Sequence, residues 1–344
     1  MIENQSDIKD VLKGSSATTN PLARTSCVIL QPIDESNYKK TIEKSVPFNL
    51  IEKRLTKEEV KKLKEIYNGV SPQVWGITDT KRTKVSYKDM QVGDVVLFNK
   101  SKNYFAKGVV TFKAVSEKLS EDLWGTLEFK NIYFIGWIES INISNIMMNE
   151  VIDIEKMSSN YDYPLFGVRV LKEKQSQAAL DFLDIENTNP FVEVSANEFE
   201  EAVRLNIEGS LDTSTNSKGR VEQRYLRNKL FGKRLFEKCA CCGFDYPVTQ
   251  LYAAHIKKRK FCNVEEKLDT RIVMPMCKYG CDVMFEDGYI GVEAGKFKKL
   301  KNNSLTLTTR IEELVSAIEG KQCSYWTSDT KSYFEWHKEF HENK

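Results

Sequence analysis

The chain has 344 residues, 41% apolar and 29% charged, with a formal net charge of +2. That is enough for two domains with separate cores, and the balance is ordinary for a water-soluble globular protein rather than a globally basic nucleic-acid binder. No run approaches the roughly 18 apolar residues of a membrane span, and "MIENQSDIKDVLKGSSATTN" lacks a basic-then-apolar export signal, so a cytoplasmic protein of the bacterial or archaeal type with no membrane role is expected.

Residues 1–45 are polar and weakly patterned, and read as an N-terminal arm. "TKEEVKKLKEIYNGV" (Thr56–Val70) predicts an amphipathic helix, with Thr56 and Glu59 as a capping box. The strand-like runs "VVLFNK", "GVVTFKAV", "IYFIGWIESINI" and "LFGVRVL" follow, separated by turn signals such as "VGD" and "NKSKN". They describe a compact, mostly β domain over 46–207, ending in a last strand and helix within "FLDIENTNPFVEVSANEFEEAVRLNIEG". Residues 208–218, small and polar, read as a linker. The second domain, 219–344, opens on a basic helix and closes on "TKSYFEWHKEFHENK", also expected to be helical.

Charge is concentrated locally. Ser217–Lys238 holds eight Lys or Arg against two Glu, and "HIKKRK" adds four more basic residues. A solvated helix face is the ordinary explanation of such a run, and phosphate contact the sharper one.

Six of the eight cysteines fall within residues 239–281, a clustering that favours metal binding over a disulfide framework. Cys239-x2-Cys242 and Cys277-x3-Cys281, with 34 residues between them, have the spacing of two half-sites for tetrahedral zinc. Cys241 could stand in for Cys242, whereas Cys27, Cys262 and Cys323 read as free thiols. Between the half-sites lies His255, one of three histidines, in the short apolar run "LYAAHIKK". Asp282 and Glu286, four apart, share one face of a predicted helix behind the second half-site. A base, two oxygen ligands for Mg²⁺ or Mn²⁺, and a zinc clip are thus brought together. His337 and His341 form an H-x3-H pair in the last helix that could bind zinc, but with Trp336 and Phe340 as neighbouring packing residues they read as plain helix surface.

The segment "CACCGFDYPVTQLYAAHIKKRKF…EEKLDTRIVMPMCKYGCDVMFEDGYI", with "GRVEQRYLRNKLF" before it and "YFEWHKEF" after it, resembles the HNH (ββα-metal) nucleases, in particular their restriction-enzyme branch. The resemblance covers about 215–344. It implies metal-assisted phosphodiester hydrolysis, with His255 as general base and Asp282 and Glu286 as ligands of a catalytic Mg²⁺ or Mn²⁺. Arg220, Gln223, Arg224, Arg227, Lys257 and Lys258 would contact DNA phosphates. Three departures stand out: the family's middle asparagine falls at Ile272, with Arg271 and Asn263 as weak substitutes. The residue before the base is Ala254, and the second clip carries one extra residue, which could turn the helix behind it.

In the first domain, Trp75 and Trp124 each precede a glycine outside the strong strand runs. The order Trp-Gly, Val-Gly-Asp-Val-Val-Leu-Phe, Leu-Trp-Gly over about 70–140 resembles the EVE/YTH branch of PUA-like domains. That resemblance implies an aromatic cage for an extruded modified base, built from Trp75 and Trp124, with Ser101, Asn103 and Tyr104 supplying further contacts. The fold expected is α+β: an N-terminal PUA-like β-barrel domain followed by a C-terminal ββα-metal HNH nuclease domain with a structural zinc held by four cysteines. The function expected is a modification-dependent restriction endonuclease acting on double-stranded DNA that carries a methylated or hydroxymethylated base. Cutting both strands implies a homodimer. An HNH enzyme reading unmodified sequence, and a non-catalytic zinc protein that binds nucleic acid, remain open alternatives.

Overall fold

A computed structural model describes residues 26–153, 161–183, 193–207, 214–301 and 306–343. Its first half is built on one curled, half-barrel sheet. The strands are β1 (Val28–Pro32), β2 (Gln73–Ile77), β3 (Val95–Lys100), β4 (Asn103–Val115), β5 (Asn131–Ser144) and β6 (Arg169–Val170). They lie in the order β2-β5-β4-β3-β1-β6, with β1 parallel to β3 and the other pairs antiparallel. Alternation sorts the strand residues between faces. Ile29, Val96, Phe98, Tyr133 and Ile135 pack with Tyr38 and Trp75 on one side. On the other, Ile132 and Phe134 join the residues of the helix Lys57–Tyr67, while Val28, Val95 and Leu97 join those of Asn145–Ile152 and Glu173–Phe182. Register shifts along β4 and β5 mark bulges, which bend paired strands and curl the sheet.

The Thr56–Glu59 capping box forms as the sequence predicts, and Asn68 ends that helix in the left-handed conformation. Two boundaries need correction. Residues 1–25 lie outside the described residues, but 26–45 are no arm, because β1 sits inside the sheet between β3 and β6. Of the expected linker, 208–213 lie outside the described residues and 214–218 form the start of the helix Ser214–Phe231. The run "LFGVRVL" shrinks to the two residues of β6. The expected helix beyond it appears as Ala196–Ile207, whereas the strand expected before that helix falls mostly on residues outside the description.

The second half contains β7 (Phe236–Lys238), β8 (Asp245–Pro247), β9 (Leu251–His255), β10 (Val273–Cys277), β11 (Ile290–Glu293) and β12 (Lys296–Lys299). β9 and β10 form an antiparallel pair, and the helix Cys281–Glu286 follows directly, giving a ββα unit. Ser214–Phe231 packs on β9 and β10, and the stacked rings of Phe199 and Tyr225, 4.1 Å apart, join it to Ala196–Ile207. The closing helix, Lys331–Glu342, packs on β11. Leu235 ties the halves together: its amide donates to the Ile66 carbonyl at 2.8 Å and its side chain joins the first half's core. No helix among the described residues is long and apolar enough to cross a membrane.

Candidate functional site

The turn between β7 and β8 and the turn after β10 bring four cysteines together. The sulfurs of Cys239, Cys242, Cys277 and Cys281 all lie within 4.8 Å of one another, close to the roughly 3.8 Å edge of a tetrahedron with Zn–S bonds of about 2.3 Å. The Cys277 amide donates to Cys239 Sγ at 3.4 Å, and hydrogen bonds from Cys239 and Cys281 hold the Cys277 thiol well below its ordinary range. The four could hold a structural metal ion such as zinc. Cys242, rather than Cys241, completes the set, and none of the eight cysteines is in a disulfide. Because such an ion links two turns otherwise 34 residues apart, its removal is expected to destabilise this half of the chain sharply. Metal analysis with thermal unfolding, with and without chelator, checks this. A metal-free chain of unchanged melting temperature would sink the assignment.

Gly280, in the second clip, has a φ of +128° and a ψ of −29°, a conformation that suits glycine. The helix behind it brings Asp282 and Glu286 to the cleft that His255 lines. His255, Gln223, Lys258, Arg259, Asp282 and Glu286 all line one open cleft of about 440 Å³. His255 ends β9, and its buried Nε2 has no hydrogen-bond partner among the described residues. Burial lowers its pKa, against an opposing pull from Glu222, so the imidazole is neutral near pH 7 and able to accept a proton. Asp282 is pushed up to about 6, by burial first and then by Glu286 and Cys277. Lys258 donates from Nζ to the Glu286 carboxylate at 2.5 Å and to its backbone carbonyl at 2.6 Å.

No family model matches the chain, and no curated protein does.

The phosphate contacts inferred from the sequence divide. Gln223 and Lys258 reach the cleft. Arg227 does not: it is buried, and its Nη1 and Nη2 donate to the carbonyls of Leu251 at 2.6 Å and Val248 at 2.9 Å, fastening the basic helix to β9. Lys257 is turned away, its ammonium on both oxygens of Glu266 and over the Trp336 ring. Arg224 is absent from the cleft lining, and burial lowers its pKa while Glu198 opposes. Arg220 belongs to Ser214–Phe231, but its side chain lies outside the described residues. Of the candidate positions for an asparagine that would orient the base, none bonds to His255 among the described residues. Ile272 is buried, Arg271 pairs with Asp269 and Asp329, and Asn263 caps the helix Val264–Leu268.

His337 and His341 are not surface residues. Both are buried, His337 stacked on Phe285 at 3.8 Å with its Nε2 2.8 Å from the Phe285 carbonyl, while Trp336 and Phe340 pack outward on Phe261. Burial, reinforced by nearby His341 and Lys258 and opposed by the Phe285 hydrogen bond, lowers the His337 pKa from 6.5 to about 3. Folded His337 therefore stays neutral where the unfolded chain takes up a proton. Its contribution is intact above about pH 6.5 and declines as pH falls toward 3, reaching ~2 kcal/mol lost at pH 5. Denaturant unfolding should show that loss in the wild type and a flatter profile in His337→Leu. Equal profiles would contradict it.

A second cavity, of about 200 Å³, lies at the β2 edge of the N-terminal sheet. Trp75 and Trp124 both line it, with Gln31, Asp34, Asn37, Thr78, Thr83 and Phe129 among its other walls. Trp75 is 5% exposed and packs edge-on to Phe98, so it is a core residue as well as a wall. Trp124 is half-buried, and its Nε1 is shielded from solvent without a partner among the described residues. A Cβ on Gly76 would stand 2.6 Å from the Trp124 ring, so glycine is what lets the indole lie against β2. Ser101, Asn103 and Tyr104 need correction. They belong to the β3–β4 turn and strand start, outside the cavity lining, and Tyr104 is buried in a different cluster. The polar groups at the cavity come instead from Gln31 in β1, Asp34 and Asn37 after it, Thr78 after β2 and Thr83 in the helix Lys81–Asp89. Only the Trp-Gly pairs announced this cavity in the sequence, because its remaining walls are assembled by long-range strand pairing.

Proposed function

We propose that this protein is a modification-dependent restriction endonuclease, in which a PUA-like, EVE/YTH-type domain holds a flipped base and an HNH domain cuts the DNA. The observation that carries the reading is the convergence of His255, Gln223, Asp282 and Glu286 on one cleft behind the four-cysteine cluster. In this reading His255 takes a proton from the attacking water, and Gln223 and Lys258 orient the phosphate. Two carboxylates suit a hard divalent ion, and Mg²⁺ or Mn²⁺ bound by Asp282 and Glu286 would offset charge developing on the phosphoryl and leaving oxygens. Reaching both strands would require two copies of the chain.

The walls of the second cavity support an uncharged, flat ligand. Two indoles and Phe129 supply apolar surface, and among the described residues the one carboxylate is Asp34 and no cation lines it. A base flipped out of a duplex exposes both ring faces and its hydrogen-bonding edge to such walls.

One observation favours a non-catalytic nucleic-acid-binding role instead: Lys258 already neutralises Glu286. Incubating wild type and His255→Ala with matched duplexes, unmodified or bearing methylcytosine, hydroxymethylcytosine or N6-methyladenine, in Mg²⁺ and in Mn²⁺, decides between them. Cleavage of modified duplex by wild type alone supports the proposal. No cleavage of any duplex rejects it, and equal cleavage of unmodified DNA favours a reader of ordinary sequence.

A further inference from the structure

Arg259 stands four residues beyond His255, in the short turn Arg259–Phe261, and lines the same cleft. Its Nε and Nη2 donate to the two carboxylate oxygens of Glu222 at 2.6 and 2.5 Å. Glu222, on the inner face of Ser214–Phe231, is 2% exposed, whereas the Arg259 side chain is 39% exposed. A carboxylate that deep is tolerated only when paired, so the guanidinium is held in one orientation. Among the described residues no group accepts from Nη1. The neighbouring cations are differently placed: Lys257 is bound to Glu266, Lys258 to Glu286, and Lys260 is exposed with its ammonium over Phe261.

We propose that Arg259 is a phosphate clamp of the His255 cleft, its Nη1 contacting a non-bridging oxygen of the DNA phosphate, and that Glu222 is the residue that positions it. This rests on the endonuclease reading for the chemistry, but the phosphate contact itself does not require cutting. In the reaction, water oxygen bonds to phosphorus, the bond from phosphorus to the 3′ oxygen breaks, His255 takes the water proton, and solvent protonates the leaving oxygen. Arg259 makes and breaks no covalent bond. It meets the charge growing on the equatorial oxygens, and its fixed orientation means little reorganisation is needed. A purely structural pair would do as well with apolar residues of similar volume. Charge at the mouth of a cleft beside an imidazole suits a ligand of opposite sign.

Two readouts test this on the full chain. In a His255→Ala background, binding of a short duplex is followed against salt. Arg259→Gln should reduce the slope of log Kd against log salt by about 0.9, the effect of one lost phosphate contact. Should that variant misfold with Glu222 left alone, the double variant Glu222→Gln/Arg259→Gln, whose amides can bond to each other, takes its place. With His255 intact, Arg259→Lys should slow single-turnover cleavage by about 10²-fold. Glu222→Gln should slow it without changing the salt slope or KM, a split that a merely structural role would not produce. An unchanged slope on losing Arg259 overturns the clamp, whatever happens to the rate. A wild type that cuts nothing while the slope still falls would reject the nuclease reading and leave the clamp standing.

Discussion

Replacing His255 with alanine is expected to reduce cleavage by about 10²- to 10⁴-fold, the usual contribution of a positioned general base, while leaving DNA affinity and thermal stability close to wild type. The expectation follows from where the side chain stands. His255 closes β9 opposite Val273, its ring is half-buried at the cleft, and its shielded Nε2 bonds to nothing among the described residues. Removing the ring strands no hydrogen-bond partner of Nε2 among the described residues, so a loss of activity at an unchanged melting temperature would report chemistry rather than unfolding. Burial keeps the ring neutral, which is the form able to take a proton. The measurement is single-turnover cleavage of modified duplex beside a binding isotherm for the same DNA. Cleavage within about threefold of wild type, against the much larger loss expected of a general base, would remove His255 from the mechanism. Equal losses of binding and cleavage would mean that the residue supports docking only.

The features of this site that were legible in the sequence are those with short-range causes. The Thr56–Glu59 box is a local hydrogen-bond exchange, and four cysteines in two close pairs bring their own geometry. Asp282 and Glu286 share a helix face by spacing alone, and both line the cleft. Other features depend on contacts between segments far apart in the chain. Arg227 and Arg259 look alike in a basic run, yet one fastens a helix to two backbone carbonyls and the other meets a buried glutamate 37 positions away. His337 and His341 have the spacing of a helix stripe, but which stripe faces inward is decided by Phe285 and by Gly288, whose missing Cβ makes room for the His341 ring. β1 was unreadable for a similar reason: a five-residue strand in a polar surround gains its place only by parallel pairing with β3.

The base-reading proposal makes its largest prediction at Trp124. Trp124→Ala is expected to weaken binding of modified duplex by about 5- to 150-fold, the equivalent of the 1–3 kcal/mol that one stacked base contributes, with little change on unmodified DNA. Trp124 is the better test residue than Trp75. The latter is 5% exposed within the core of the sheet, so its truncation would cost about 3–5 kcal/mol of stability and confuse the result. Trp124 instead ends the helix Glu117–Trp124, is half-buried, meets Phe129 edge-on at 5.7 Å and lines the cavity. Gly76→Ala provides an independent perturbation, since the added methyl would displace the Trp124 ring and the Phe129 backbone without removing either aromatic group. Both variants should lose discrimination between modified and unmodified duplexes while the His255 cleft, built on other strands, keeps its metal-dependent cutting of any DNA it still binds. Titration of each duplex against each variant, using a His255→Ala background to prevent cutting, gives the comparison. If both variants bind modified DNA as tightly as the parent, the cavity is not the reader, and specificity must come from contacts along the half that carries the His255 cleft.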